Sequence, residues 1–588
     1  MACATCRDGS FSPRQGKHTR RNLMRGAVAL GLATGSAGTL QVGGMTPVAA
    51  QDDPTAMSPP PDYIPVHEGD IVAPIAGPLT EEPVSFSGVA MQNAGVSSFE
   101  DNRYTDWLEE KTNVHIDWQL VPEEEAEGRL NLMLASGNIP EIIFGIVSPS
   151  QQALYGSQGL FVPLNDLIEE HAPNLKKAFE IYPGMREVLT APDGNIYGMM
   201  TLEDCYHCSM SQKLWIYQPW LDTLGLEMPK TTDEFEQVLL AFKERDPNGN
   251  SEADEIPLST TIDLEGWQNS LDLFFMNSFI YNPGEDATGP WLILQDGQVT
   301  PIYNTPQWKE GLKYLQRLYA QGLIDPQSFT QDLDGLQRLG NNPDTVILGS
   351  APSGWMGVFI AVDESLQDTR WTDYVPVPPL EGPEGVRYAA WSPATGEPAI
   401  VLTNACKDPA LAVRWIDAQY DREATLRSER GVLGGDWRWA EEGETDYNGE
   451  QASWKILRLF TDEPTDHAWQ GTGPKFISRS LWESQAVDPD SIDLEFLLAS
   501  MTEEAYEPYK QPAEMVLPPL AFTEDQAVAI ADPEATIVQY VKEMFTRFVR
   551  GEGNIDAEWD QYLATLEGMG LTAYLQVYQE ALDAKYGG

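Results

Sequence analysis

Between Val84 and Gly145 the chain alternates strand-like and helix-like stretches at a spacing that leaves few folds open. Residues 84–90 (VSFSGVA) and 114–118 (VHIDW) alternate polar and apolar positions with the period of two expected of a β-strand. Residues 101–111 and 123–135 carry helical patterns between and after them, the second with Leu130, Leu132, Met133 and Leu134 as its apolar positions. Residues 139–145 have the composition of a short buried strand. Strands separated by helices cannot be joined by tight hairpins, so they are expected to lie parallel in one sheet, with the helices as crossovers on its faces. The fold class is therefore α/β, and the same alternation resumes from Leu214. Later helices are well punctuated. Thr305-Pro306 and Asp408-Pro409 each offer an N-cap followed by proline at the first helical position. A helix is expected over 535–550, stopped by Gly551, with two more over 556–566 and 571–585.

The start of the chain has a different character. Residues 1–50 hold Arg7, Arg14, Lys17, Arg20, Arg21 and Arg25 against the single acid Asp8, and an uncharged stretch runs from Gly26 to Gln51. That stretch is too rich in Gly, Ser and Thr for a comfortable membrane span and reads as the n- and h-regions of an export signal. Thr19-Arg20-Arg21-Asn22-Leu23-Met24-Arg25 resembles a twin-arginine signal, and Val48-Ala49-Ala50 supplies small residues for cleavage before Gln51. No cysteine follows the apolar stretch, so a lipid anchor is not expected. Residues 51–83, with Ser58-Pro59-Pro60-Pro61, read as a flexible Pro/Asp-rich tether.

The 588 residues suit two or more domain-sized units. With 37 Lys+Arg against 90 Asp+Glu, the formal net charge of −53 disfavours nucleic acid and anionic membranes as partners. Five cysteines rule out a disulfide scaffold. No G-x-S-x-G elbow, P-loop or H-E-x-x-H is present, and the scattered acids name no glycosidase pair.

Several segments resemble one family. They are residues 107–114 (WLEEKTNV), 130–143 (LNLMLASGNIPEII), 162–168 (VPLNDLI), 192–198 (PDGNIYG), 220–226 (WLDTLGL) and 431–436 (GVLGGD). In order and spacing this chain resembles the family 1 extracellular solute-binding proteins that serve carbohydrate ABC importers. The long branch that includes alginate-oligosaccharide binders and lipoprotein-A-like proteins is the most similar. The resemblance implies a type II periplasmic-binding-protein (Venus-flytrap) fold, with two α/β lobes, a hinge, and a ligand held between the lobes. It implies lobe one over 84–204 and 396–475, and lobe two over 205–395 and 476–588. It also implies a monomeric receptor that delivers an oligosaccharide to an ABC permease without chemical change. The competing readings are an exported polysaccharide-degrading enzyme and a peptide or osmolyte binder on the same scaffold.

Residues 246–255 (DPNGNSEADE) set oxygen side chains at alternate positions, the pattern that wraps a hard cation needing six to eight oxygens. Asp246, Asn248, Asn250, Asp254 and Glu255 are the expected side-chain ligands of Ca²⁺, with Glu252 contributing its carbonyl. Ser251 stands where an EF-hand has glycine, and Pro257 where it has a bidentate glutamate, so an isolated structural site is expected.

A sugar site needs aromatic platforms and hydrogen-bonding side chains. Among 17 Trp, those in polar, Gly-containing or lobe-crossing context are Trp267, Trp355 and Trp391. Position in the implied fold adds Gly145 and Ser148 after the Ile-Ile-Phe strand, and Tyr197, Glu203 and Asp204 at the first crossing between lobes. Cys205-Tyr206-His207-Cys208 falls short of a closed zinc site. It reads first as a local disulfide at the hinge or cleft rim, and otherwise as two free thiols.

Overall fold

The computed structural model describes residues 60–587 apart from 93–95, 123–124, 262–266, 286–288, 363–367, 393, 395, 459–464 and 489–492. The expected export signal and residues 51–59 lie outside the described residues. In chain order the strands of the two main sheets are β1 (Val84–Met91), β2 (Val114–Val121), β3 (Ile142–Phe144), β4 (Gly198–Glu203), β5 (Leu214–Tyr217), β6 (Ser350–Pro352), β7 (Tyr374–Val377), β8 (Glu397–Leu402) and β9 (Phe476–Ile477).

The first sheet runs β9-β4-β8-β3-β1-β2. The strands β1, β2 and β3 are parallel, as their helical connections require. β8 enters antiparallel between β3 and β4, returning from the second lobe. Alternation splits the side chains between two faces. Ile142 and Phe144 join Ile400 and Leu402 in one apolar cluster, while Ile143 and Val401 join Val89 and Tyr197 in the other. Helix α1 (Arg103–Thr112) covers the first face. Asn102 caps it by accepting from the Tyr104 N–H, Asn113 ends it in the left-handed region, and Trp107 and Leu108 are buried. Helices α2 (Ala126–Ser136) and α3 (Pro149–Ser157) belong to the second face. Leu130 of α2 is buried there, and Tyr155 of α3 packs against that cluster.

The second lobe is built on the antiparallel sheet β6-β5-β7. Trp215 faces one apolar cluster, and Leu214 and Ile216 face the other. Helix α4 (Thr232–Glu244) and helix α5 (Pro306–Ala320) pack into the larger cluster, α5 opened by Thr305 and Pro306 as expected. Helices α6 (Pro409–Asp417) and α7 (Arg422–Arg430) return to the first lobe. Helix α8 (Leu494–Ala505) lies on the smaller second-lobe cluster through Leu498. The C-terminal helices α9 (Glu524–Val549), α10 (Ile555–Gly568) and α11 (Leu571–Tyr586) close the larger one. Helix α9 begins eleven residues before the expected start at 535, because a Thr523/Gln526 capping box nucleates it. Pro533 is accommodated within it, since the carbonyl it leaves without a donor belongs to exposed Ala529.

Two sequence expectations require correction. Residues 60–83, read as part of a flexible tether, are packed on the first lobe. Ile71 and Ile75 enter its core, and Ile64 enters a small tryptophan-rich cluster with Trp437, Trp439 and Trp454. Asp70 and Arg422, both buried, form an ion pair at 3.0 Å that ties this strap to α7. Composition hid this because proline-rich extended chain can still place single isoleucines into grooves. The changeover expected at 475/476 also falls later. β9 pairs with β4, and Leu481 and Ala486 sit in the same tryptophan-rich cluster as residues 437–454.

Candidate functional site at the lobe crossing

The polypeptide passes between the lobes after β4, again before β8 and again after β9, and these passages meet around the turn 204–213. Cys205 and Cys208 close a disulfide within that turn, with Cα atoms 5.3 Å apart. Ser209 offers its carbonyl to the Ser392 N–H at 2.7 Å, joining the first passage to the second. His207 Nε2 lies 3.0 Å from Glu495 Oε2 on α8, joining it to the segment that follows the third. Beneath the turn, the fully buried Lys213 ammonium donates to the carbonyls of His207 and Met210 at 2.7 and 2.6 Å. Burial without a carboxylate partner pushes that amine down to about 7.

Polar and aromatic side chains line the same region. Arg479 pairs with Asp204 at 3.0 Å and lies 4.6 Å over the Tyr206 ring. Tyr182 donates to Asp204 at 2.8 Å, and Tyr206 donates to Glu507 at 3.2 Å. Glu203 ends β4 and pairs with Lys475 at 2.6 Å, while Glu429 lies 3.4 Å from the same ammonium. Burial alone would depress Lys475, but the charges of Glu429 and Glu203 outweigh it and raise the ammonium above its ordinary value.

The expected ligand residues divide among these surroundings. Trp267 is half-buried with its ring 6.4 Å from that of His207, and its carbonyl accepts from the Gly354 N–H at 2.9 Å. Trp355 follows on the same surface and is also half-buried. Trp391 is bracketed by Gln511, which accepts from its N–H and donates to its carbonyl, both at 2.7 Å, and the Lys510 ammonium lies 3.6 Å over its ring. Gly145 follows β3 with φ +70°, anchored by its N–H to Ala399, and faces open space. Ser148 is exposed and caps α3 in a capping box with Gln151. Tyr197 is not brought to the group. Its ring is buried beneath Gly156, and its hydroxyl donates to Asp193 at 2.6 Å. Sequence reasoning missed Lys475, Arg479 and Lys213. Basic residues within a strongly acidic chain were the available signal.

The 246–255 loop turns through left-handed backbone at Asp246, Gly249 and Ser251, with φ of 47°, 74° and 65°. Asn248 and Asn250 both donate to the Asp254 carboxylate at 2.9 Å. Glu252 donates its N–H to Asn250 Oδ1 at 2.7 Å. Buried Asp246 Oδ1 and Glu255 Oε1 receive no hydrogen bond. Burial, with the charges of Asp254 and Asp246 beside it, raises the Glu255 carboxyl. Carboxylate oxygens without donors, on a loop carrying further oxygens, fit a hard divalent cation. The Asn amides would have to turn their oxygens inward to complete its shell. By contrast, Cys205, His207 and Cys208 come within 4.8 Å of one another, but the disulfide removes both thiolates as metal ligands.

Three comparisons bear on this architecture. The family model for bacterial extracellular solute-binding proteins matches residues 93–425. The chain is 31% identical over 487 residues to the fructooligosaccharide ABC transporter substrate-binding protein FusA of Streptococcus pneumoniae, covering 81% of this chain and 86% of that one. It is 26% identical over 349 residues to lipoprotein LipO of Bacillus subtilis, covering 56% and 62%. The structure of FusA in complex with kestose superposes with a TM-score of 0.69 at 28% identity, over 85% of this chain and 99% of that one. An HMO-binding, ABC-transporter-associated solute-binding protein from Bifidobacterium longum infantis shares the fold, with a TM-score of 0.71 at 22% identity and coverage of 86% and 99%. The two-lobed α/β architecture is thus the type II periplasmic-binding-protein fold, and the chain belongs to the bacterial extracellular solute-binding protein family.

Proposed function

We propose that this protein is the exported receptor of an ABC importer, that it captures an oligosaccharide between its lobes, and that it releases the sugar intact to the permease. The observation that carries this reading is the similarity to FusA, a fructooligosaccharide receptor whose sugar-bound structure matches over nearly its whole length. The lobe crossing supports it chemically. Half-buried Trp267 and Trp355 offer apolar faces for sugar C–H surfaces, and the carboxylates and cations at the crossing offer hydrogen bonds to hydroxyls. In this reading the cleft is lined by Gly145, Ser148, Glu203, Trp267, Trp355 and Trp391, and Tyr197 supports it from within lobe one. The protein acts as a monomer, is exported by a twin-arginine signal without a lipid anchor, and holds Ca²⁺ structurally at Asp246, Asn248, Asn250, Asp254 and Glu255, with Glu252 contributing backbone. Among the described residues no helix is long and apolar enough to cross a membrane.

Calorimetric titration against kestose, nystose and a panel of glucans and alginate oligomers tests the reading. Saturable one-to-one binding of a sugar recovered unchanged is expected. Shortened sugar products would make the protein an enzyme, and no binding across the panel would remove the carbohydrate assignment.

A further inference from the structure

The disulfide at the lobe crossing has a placement that fold stability does not explain. Cys205 and Cys208 are three positions apart, so their bond closes one of the smallest loops a disulfide can close. The stabilisation a disulfide gives by constraining the unfolded chain shrinks as the closed loop shortens, and here it is near its minimum. Yet the loop it constrains holds His207, which is linked to Glu495, and the residue directly after it, Ser209, carries the link to Ser392, so both links between passages hang on this bond. The backbone carbonyls that bind the Lys213 ammonium also belong to this turn. Cys208 is half-buried, so a thiol reagent can reach it, whereas the remaining described cysteine, Cys406, is a buried free thiol in the first lobe.

We propose that the Cys205–Cys208 disulfide is a redox lock on the lobe hinge, holding the crossing in its ligand-competent geometry when oxidised and loosening it when reduced. The reductant is a dithiol, either a small molecule or the C-x-x-C site of a thiol–disulfide oxidoreductase. Its thiolate attacks Cys208 Sγ, and Cys205 leaves as a thiolate and takes a proton. The second thiol of the reductant then attacks the mixed disulfide and releases Cys208. Two electrons and two protons pass to the protein, and the reductant becomes a disulfide. The released Cys208 sulfur lies beside His207, whose Nε2 is 3.8 Å from it, so the imidazole has a new partner competing with Glu495. Movement of His207 is transmitted to the neighbouring Trp267 ring. The inference uses the hinge-closure part of the proposed function and not the identity of the ligand.

Hydrogen exchange followed by mass spectrometry on the sugar-free full chain, with and without dithiothreitol, tests it independently of any sugar. Reduction is expected to accelerate amide exchange about ten-fold over 203–214 and 389–392. Helices 232–244 and 409–417 should exchange as before, and the melting temperature should shift little. The Cys205→Ser/Cys208→Ser variant should show the fast exchange without reductant and no response to it. Unchanged exchange at the crossing after complete reduction would overturn the proposal. So would faster exchange across both lobes with a large loss of melting temperature, which would make the bond an ordinary staple of the fold.

Discussion

Single side chains in this protein do opposite electrostatic work in the first lobe. Glu444 accepts a two-pronged hydrogen bond from Arg438 at 2.7 and 2.8 Å. That bond is the main reason its carboxyl is pulled down to about 2. A depressed acid contributes stability above its unfolded value of 4.5 and loses it as pH falls toward 2. Asp417 and Asp421 are raised by burial to about 7 and about 6. A raised acid contributes stability at pH below its ordinary value, and that contribution is lost as pH rises through the folded value. Relief of repulsion within a chain of net charge −53 acts in the same direction. Stability measured by chemical denaturation should therefore rise from pH 7 to pH 5 and fall below about pH 4.5. Glu444→Gln should flatten the acid limb. A second expectation concerns the buried Asp70–Arg422 pair. Arg422→Ala leaves Asp70 buried without its cation and should cost about 3–5 kcal/mol in denaturant unfolding. It should also expose the strap 60–83 to limited proteolysis, because Arg422 also donates to the Pro65 carbonyl at 2.8 Å.

At the scale of elements, two segments carry testable packing or ligation. Helix α3 approaches the Tyr197 ring through Gly156, where an added Cβ would come within 2.5 Å of the ring. Gly156→Ala should be destabilising by about 1–3 kcal/mol through overpacking, exceeding the roughly 1 kcal/mol gained in helix propensity. Thermal unfolding would register the loss, and an unchanged or raised melting temperature would contradict the packing. The 246–255 loop should respond to metal. With Ca²⁺ tenfold above its dissociation constant, a site present only in the folded protein contributes about 1.4 kcal/mol, or about one to two degrees of melting temperature for a chain of this length. Chelation should remove that increment, and Asp246→Ala should abolish the response to added calcium. These elements also show what the residues alone disclosed. Alternation revealed β1 and β2, apolar composition revealed β3, and the Thr305-Pro306 and Asp408-Pro409 signals opened α5 and α6 where expected. Two-residue β9 carried no pattern of its own and is defined by its pairing with β4. The early start of α9 depends on a capping box that outweighs the proline inside it. Trp267 and Trp355 stood out by their polar, glycine-rich context. Lys475 and Arg479 did not, because their meaning comes from carboxylates distant in sequence.

Across the whole molecule, the chain enters each lobe more than once, so the lobes can rotate about the crossing without unfolding either core. The C-terminal helices belong to the second-lobe core, yet α9 also packs against α3 of the first lobe. Such contacts must part when the lobes separate, and ligand binding can favour the state that keeps them. Small-angle X-ray scattering during titration with an oligosaccharide selected by calorimetry, with the sugar's mass checked afterwards, tests this account most directly. A saturable decrease in radius of gyration that follows binding is expected, with the sugar intact. A radius that stays constant at saturation, or sugar recovered in shortened form, would contradict it.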